Sequence, residues 1–175
     1  VFCGYQHYKG KFEVNDLEKF KKKIDEVAKL TRRNISLTPL TGDIFSDKNV
    51  IQKLKFIDDH QGIDGYGLTT NFILPSHDEI INLLNIKKIK QMKISIYGHD
   101  AESFKLITKS NSYKRLVSNL EFLKSNIDKL NFKLDLAVRS YMDFNFQKNK
   151  QSSDLVKLIY DLEERSDLVK KSQHY

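Results

Sequence analysis

The residues of this chain best suited to chemistry stand singly along it. Cys3 is the one thiol among 175 residues. As a thiolate it is a nucleophile or a soft metal ligand. Gly42-Asp43 sets a carboxylate just after the first strand, among the loops where such sheets bind ligands. Thr70-Asn71 closes an alternating run with two hydrogen-bonding side chains, and Ser95 lies inside another such run. Arg139 ends a third, as a fixed cation suited to carboxylate or phosphate. Each has an ordinary explanation when taken alone. A lone cysteine is commonly a small buried apolar residue. Thr41-Gly42-Asp43 makes a turn, and Asn71 favours one. Ser95 is a small strand residue, and Arg139 a surface cation.

Other chemistries are excluded by spacing. His7, His60, His77, His99 and His174 are dispersed and give no zinc pattern. Gly62, Gly65 and Gly67 follow a helical stretch, not a strand, so they are no dinucleotide fingerprint. No serine sits in a nucleophile elbow.

The elements that must position these residues are legible from apolar periodicity. Leu17, Phe20, Ile24 and Val27 are spaced as a helix face, with Asn15 or Asp16 as its cap. Ile35–Thr38 is a short strand. Asp47 opens a helix carrying Val50, Ile51, Leu54 and Ile57. Tyr66–Thr70 is a strand, and Ser76 with Glu79 forms a capping box before Ile80. Lys93–Tyr97 alternates strictly and stops at Gly98. Asp100 begins one helix with Phe104 and Ile107, and a second carries Leu116, Leu120 and Leu123. Leu134–Arg139 is the last strand, and Leu155, Leu158, Ile159 and Leu162 mark the last clear helix. The tail beyond Ser166 reads as helical.

Short strands alternating with amphipathic helices predict parallel βα units, adjacent and in sequence order. Strand starts near 35, 65, 93 and 134 lie about 30, 28 and 41 residues apart, the length of repeated βα units. Successive strand residues face opposite sides. Ile35, Leu37, Leu68, Ile94, Ile96, Leu134, Leu136 and Val138 form the side that helices cover. Ser36, Thr38, Gly67, Thr69, Lys93, Ser95, Asp135, Ala137 and Arg139 form the other. A doubly wound sheet is apolar on both sides, and a closed eight-stranded barrel is filled with bulky branched residues. One small, polar side on all four strands predicts a curved sheet around a wet cavity, with Lys93 and Asp135 able to pair inside it.

Composition fits one domain with a real core. Charged residues are 30% and hydrophobic ones 39%, and the net charge is +7. The positive charges are mostly lysines scattered among acids, with five arginines (Arg32, Arg33, Arg115, Arg139, Arg165). That distribution describes solvated surfaces and argues against a nucleic-acid partner. No apolar run approaches the ~20 residues of a membrane helix, so we expect no membrane partner and a cytoplasmic location.

In this order the motifs resemble the core domain of radical S-adenosyl-L-methionine (radical SAM) enzymes. The family motif is Cys-x-x-x-Cys-x-aromatic-Cys, and Val1-Phe2-Cys3 fits its last three positions. Gly42-Asp43 is similar to the family's Gly-Glu, with Asp in place of Glu. Thr70-Asn71 matches its Thr-Asn, and Ile94-Ser95-Ile96-Tyr97-Gly98 resembles its Ile-Ser-Leu-Asp-Gly. Ala101-Glu102-Ser103-Phe104 and Asn119-Leu120-Glu121-Phe122-Leu123 match two helix patterns, and Arg139 a polar position ending the next strand.

The resemblance covers Val1 to about Phe144; a further helix and tail fill 145–175. It implies a partial (βα)6 TIM-like barrel, incomplete in this fragment, within a single partial core domain over 1–175. It also implies that the chain is cut inside the cysteine motif and lacks the first strand, the last one or two, and two cluster cysteines. Cys3 is then a ligand of a 4Fe-4S cluster. Phe2, Gly42, Asp43, Asn71, Ser95 and Arg139 then bind S-adenosyl-L-methionine, with Asp43 receiving its methionyl amino group. The activity implied is reductive cleavage of that cofactor to a 5′-deoxyadenosyl radical, which abstracts hydrogen from a substrate, a peptide or a polysaccharide precursor among the candidates. Flavodoxin or ferredoxin is the implied reductant. The alternative expectation is a non-catalytic βα domain that binds a nucleotide or sugar, with Cys3 structural.

Overall fold

The structure is a computed structural model that describes residues 15–30, 34–38, 42–140 and 144–172, with side chains described as far as 167. Cys3 and Phe2 lie outside the described residues. The elements in chain order are α1 Leu17–Leu30, β1 Ile35–Leu37, α2 Val50–Asp59, β2 Tyr66–Thr70 and α3 His77–Leu84. They continue with β3 Ile89–Tyr97, α4 Ala101–Thr108, α5 Tyr113–Ser125, β4 Lys133–Arg139 and α6 Asp154–Ser172. Short 3-10 turns occupy Ile44–Ser46 and Ile127–Lys129.

All three strand pairings are parallel, and the sheet order is β1-β2-β3-β4. The α/β class and the sequential parallel order therefore follow the alternation in the sequence. The side expected beneath the helices is the core side: Leu68, Ile94, Ile96 and Leu134 are buried there against Ile57, Ile80, Phe104, Leu120 and Ile159. Burying one such side chain stabilises by about 1.5–3 kcal/mol, so this side dominates the fold's stability.

Local signals set the helix starts. The Asp16 carboxylate accepts the Lys19 amide at 2.7 Å and caps α1. The Ser76 hydroxyl accepts the Glu79 amide at 3.2 Å while the Glu79 carboxylate accepts the Ser76 amide at 2.8 Å, completing the capping box. α2 begins at Val50 and not at Asp47. The Asp47 carboxylate accepts the Asn49 amide at 2.8 Å, an Asx turn that delays the helix.

β3 begins four residues before the alternation indicates it. Tyr66 pairs with Ile89 but Gly67 pairs with Gln91, so Lys90 is an extra residue in β3. Such a bulge inverts the inward-outward parity. Ile89 and Met92 are therefore both buried although an odd number of positions separates them.

Candidate functional site

The carboxyl ends of β1 and β2 are tied by one buried carboxylate. Asp43 is only 8% exposed. It accepts the Phe45 amide at 3.0 Å, the Thr70 hydroxyl at 2.9 and 3.1 Å, and the Asn71 amide at 2.6 Å. Gly42 precedes it at φ +80°, a conformation that favours glycine. The three donors, with the Thr70 hydroxyl shared between both oxygens, take up most of the carboxylate's acceptor sites, and burial limits access to the rest.

Beyond Asn71 the chain is strained and then fastened. Phe72 is fully buried at φ +58°. A non-glycine residue held there costs about 1–3 kcal/mol and persists where its surroundings over-determine it. The surroundings are visible. The Thr70 hydroxyl accepts the Phe72 amide at 2.9 Å, and the Asn71 side chain accepts the Ile73 amide at 3.1 Å. From α5, the buried Asn119 amide group donates to the carbonyls of Phe72, Ile73 and Pro75 at 3.0, 3.3 and 3.1 Å.

The ends of β3 and β4 form the other half of the rim. The Gly98 amide donates to the Arg139 carbonyl at 2.8 Å. Gly98 has φ +81°, and a Cβ on it would stand 2.5 Å from the Phe104 nitrogen. The start of α4 therefore sits directly against the end of β3. Asp100 caps that helix by accepting the Ser103 amide at 2.8 Å. Burial alone would raise the Asp100 carboxyl, but hydrogen bonds from Ser103, and then the His99 charge, hold it below the usual range. The His99 Nδ1 shares a hydrogen with the Ser140 hydroxyl at 2.7 Å, and its ring stacks on Phe144 at 3.7 Å. Arg139 is exposed, its guanidinium 6.0 Å from the Tyr97 ring centre.

Below the rim, the side of the sheet away from the core is polar. Register arranges it in rows: Ser36, Gly67, Gln91 and Lys133; then Thr69, Lys93 and Asp135; then Ser95 and Ala137; then Tyr97 and Arg139. Lys93 and Asp135 are 3.6 Å apart and half-exposed, the pair expected from the alternation. Ser95 is 9% exposed, and its hydroxyl makes no hydrogen bond among the described residues. Among the described residues no fully enclosed side-chain nitrogen or oxygen lacks a partner, so this hydroxyl reaches the surface of the polar side.

Asp43 and Asn71 are thus joined directly, and Ser95 and Arg139 share the same side and end of the sheet on neighbouring strands. Sequence reasoning missed Thr70 as the partner of Asp43, Asn119 as the loop's fastener, and the His99–Ser140 pair. A signal for Asn119 existed: it interrupts an apolar stripe, three residues after Leu116 and four before Leu123. Among the described residues no group of three or more His, Cys, Asp or Glu is arranged to hold a metal. No helix of the described residues is long and apolar enough to cross a membrane.

Fold and site together define a parallel βα domain with one polar side and a fastened rim at the carboxyl ends of its strands. Compared with known proteins, the sequence matches no family model and no curated protein.

Proposed function

We propose that this chain is part of a radical SAM enzyme and supplies the side of a partial (βα)6 barrel on which S-adenosyl-L-methionine rests. The observation that carries the reading is that Asp43, Asn71, Ser95 and Arg139, from four separate segments, all fall toward the carboxyl end of a sequentially ordered parallel sheet. Ligands of such sheets bind beyond the carboxyl ends of the strands.

The residues fit the cofactor unevenly. The Ser95 hydroxyl, free among the described residues, suits a ribose hydroxyl or a carboxylate oxygen, and the Arg139 guanidinium suits the methionyl carboxylate. Asp43 does not suit direct contact with the methionyl ammonium, because its carboxylate already takes three donors. Its role is to hold Asn71 and the rim loop in place. When bound beside a reduced cluster, the cofactor supplies a 5′-deoxyadenosyl radical for hydrogen abstraction. This chain's residues orient the cofactor, as such chemistry requires. Three thiolates hold the family's cluster, and this chain has one cysteine, so it does not hold a cluster alone. We assign Cys3 as one of the three, with flavodoxin or ferredoxin as electron donor.

A second reading, a non-catalytic βα domain that binds a nucleotide or sugar, is favoured by the filled Asp43 carboxylate. Iron and sulfide content decides between them. It is measured after anaerobic reconstitution of a polypeptide that carries this chain and two further cysteines at the motif spacing. The radical reading expects four irons per chain, lost in Cys3→Ala. Unchanged iron in Cys3→Ala supports the binding domain.

A further inference from the structure

Polar contacts at the rim and on the side below it differ in length. Around Asp43 they run from 2.6 to 3.1 Å. Below, the Ser36 and Thr38 hydroxyls are 3.3 Å apart, those of Thr38 and Thr69 3.5 Å, the Gln91 amide and Asp135 3.3 Å, and Lys93 and Asp135 3.6 Å. Good O–H···O bonds are about 2.7–2.8 Å and N–H···O bonds about 2.9–3.0 Å. Beside the contacts of Asp43 the polar side is slack, and Ser95, nine-tenths buried in its midst, makes no side-chain hydrogen bond among the described residues.

The slack groups share a chemistry. Hydroxyls both donate and accept, the Asp135 carboxylate accepts, and the Lys93 ammonium donates. An acceptor and a donor side by side match two adjacent hydroxyls, one donating to Asp135 and the next accepting from Lys93. A ring of hydroxyls satisfies such a surface, whereas an apolar or singly charged ligand leaves half of it unpaired. The exposed ion pair contributes little to stability, so a ligand can part it at low cost.

We propose that this side of the sheet binds a sugar, whose vicinal diol straddles the Lys93–Asp135 pair and whose third hydroxyl bonds Ser95. The inference names a substrate class for the site described above, and that assignment rests on the radical enzyme reading. Sugar binding itself requires neither cluster nor cofactor. Ser95 has one donor and two acceptor sites, enough for two partners.

The same diol chemistry belongs to the cofactor's own ribose, so the test has two arms. The full chain, labelled with 15N, is titrated by NMR with the methyl α-glycosides of glucose, galactose and mannose, and separately with adenosine. At least one glycoside is expected to bind with a Kd of order 10 mM or tighter and to shift the amides of residues 93–95 and 135–137. Ser95→Ala, Asp135→Asn and Lys93→Met should each weaken it about tenfold, the loss of one hydrogen bond to a charged or buried group, while Gln52→Ala on α2 changes nothing. Thermal melting confirms that each variant is folded, and Asp135→Asn and Lys93→Met, at a half-exposed pair, keep the test intact if Ser95→Ala is not. Any of three results overturns the proposal: no saturable shift at about 100 mM of any glycoside, glycoside affinity unmoved in folded variants, or binding by adenosine alone. The last assigns the diol to the cofactor. Failure here leaves the iron measurement above untouched, so the two readings fail separately.

Discussion

The Asp43 carboxylate accepts the Thr70 hydroxyl through both of its oxygens, at 3.1 and 2.9 Å, across 27 residues of sequence. The contact locks the segment after β1 to the carboxyl end of β2. It also changes what the Gly42-Asp43 motif does, because a carboxylate so engaged fixes the shape of the rim.

Asp43→Ala should therefore cost stability as well as any ligand affinity. It leaves the Phe45 and Asn71 amides and the Thr70 hydroxyl without their acceptor. Stranding such buried donors costs about 1–3 kcal/mol each in the worst case, so a net loss of about 3 kcal/mol is expected in urea unfolding. Asp43→Asn should do little better, since its NH2 group would face a backbone N–H.

Gly98→Ala should be more severe. The added Cβ would meet backbone at 2.5 and 2.8 Å, and φ is +81°. Backbone atoms of a helix start cannot yield as a side chain can. A loss above about 3 kcal/mol, or failure to fold, is expected by thermal melting. A stability within about 0.5 kcal/mol of native would contradict the close approach of α4 to β3.

Asn119 acts on the rim from a distance. Asn119→Asp replaces a donor by an acceptor facing three carbonyls. Amide hydrogen exchange should accelerate at residues 71–76 more than in β3 or β4. Uniform acceleration would instead point to a general loss of stability.

The Asp100 carboxyl lies below its usual range, so it favours folding when ionised. The sign follows from linkage: the contribution is present above the unfolded value, about 3.9, and disappears as pH falls through the lower folded value. Asp100→Asn should thus flatten the acid side of the stability profile while leaving its shape above pH ~5 unchanged. An unchanged acid limb would contradict the cap.

The four strands, their order and the Lys93–Asp135 pair were all legible in the sequence, because alternation is local and register then follows from it. The bulge at Lys90 was not, because it inverts the pattern that reveals a strand, and β3 reads as starting at Lys93 for that reason. The Asp43–Thr70 and Asn119–Phe72 contacts span 27 and 47 residues, and no periodicity reports such partners. Phe72 at positive φ is equally silent, since nothing in an aromatic residue announces that conformation.

The radical enzyme reading stands or falls on one product. A polypeptide carrying this chain and the two further cysteines is reconstituted anaerobically with iron and sulfide, reduced, and given S-adenosyl-L-methionine. Chromatography then measures 5′-deoxyadenosine beside the iron content. We expect product from the native sequence, and neither product nor cluster from Cys3→Ala. Ser95→Ala should keep the cluster and form product more slowly. Iron and product both retained in Cys3→Ala, or a loaded cluster that yields no 5′-deoxyadenosine, would contradict the assignment.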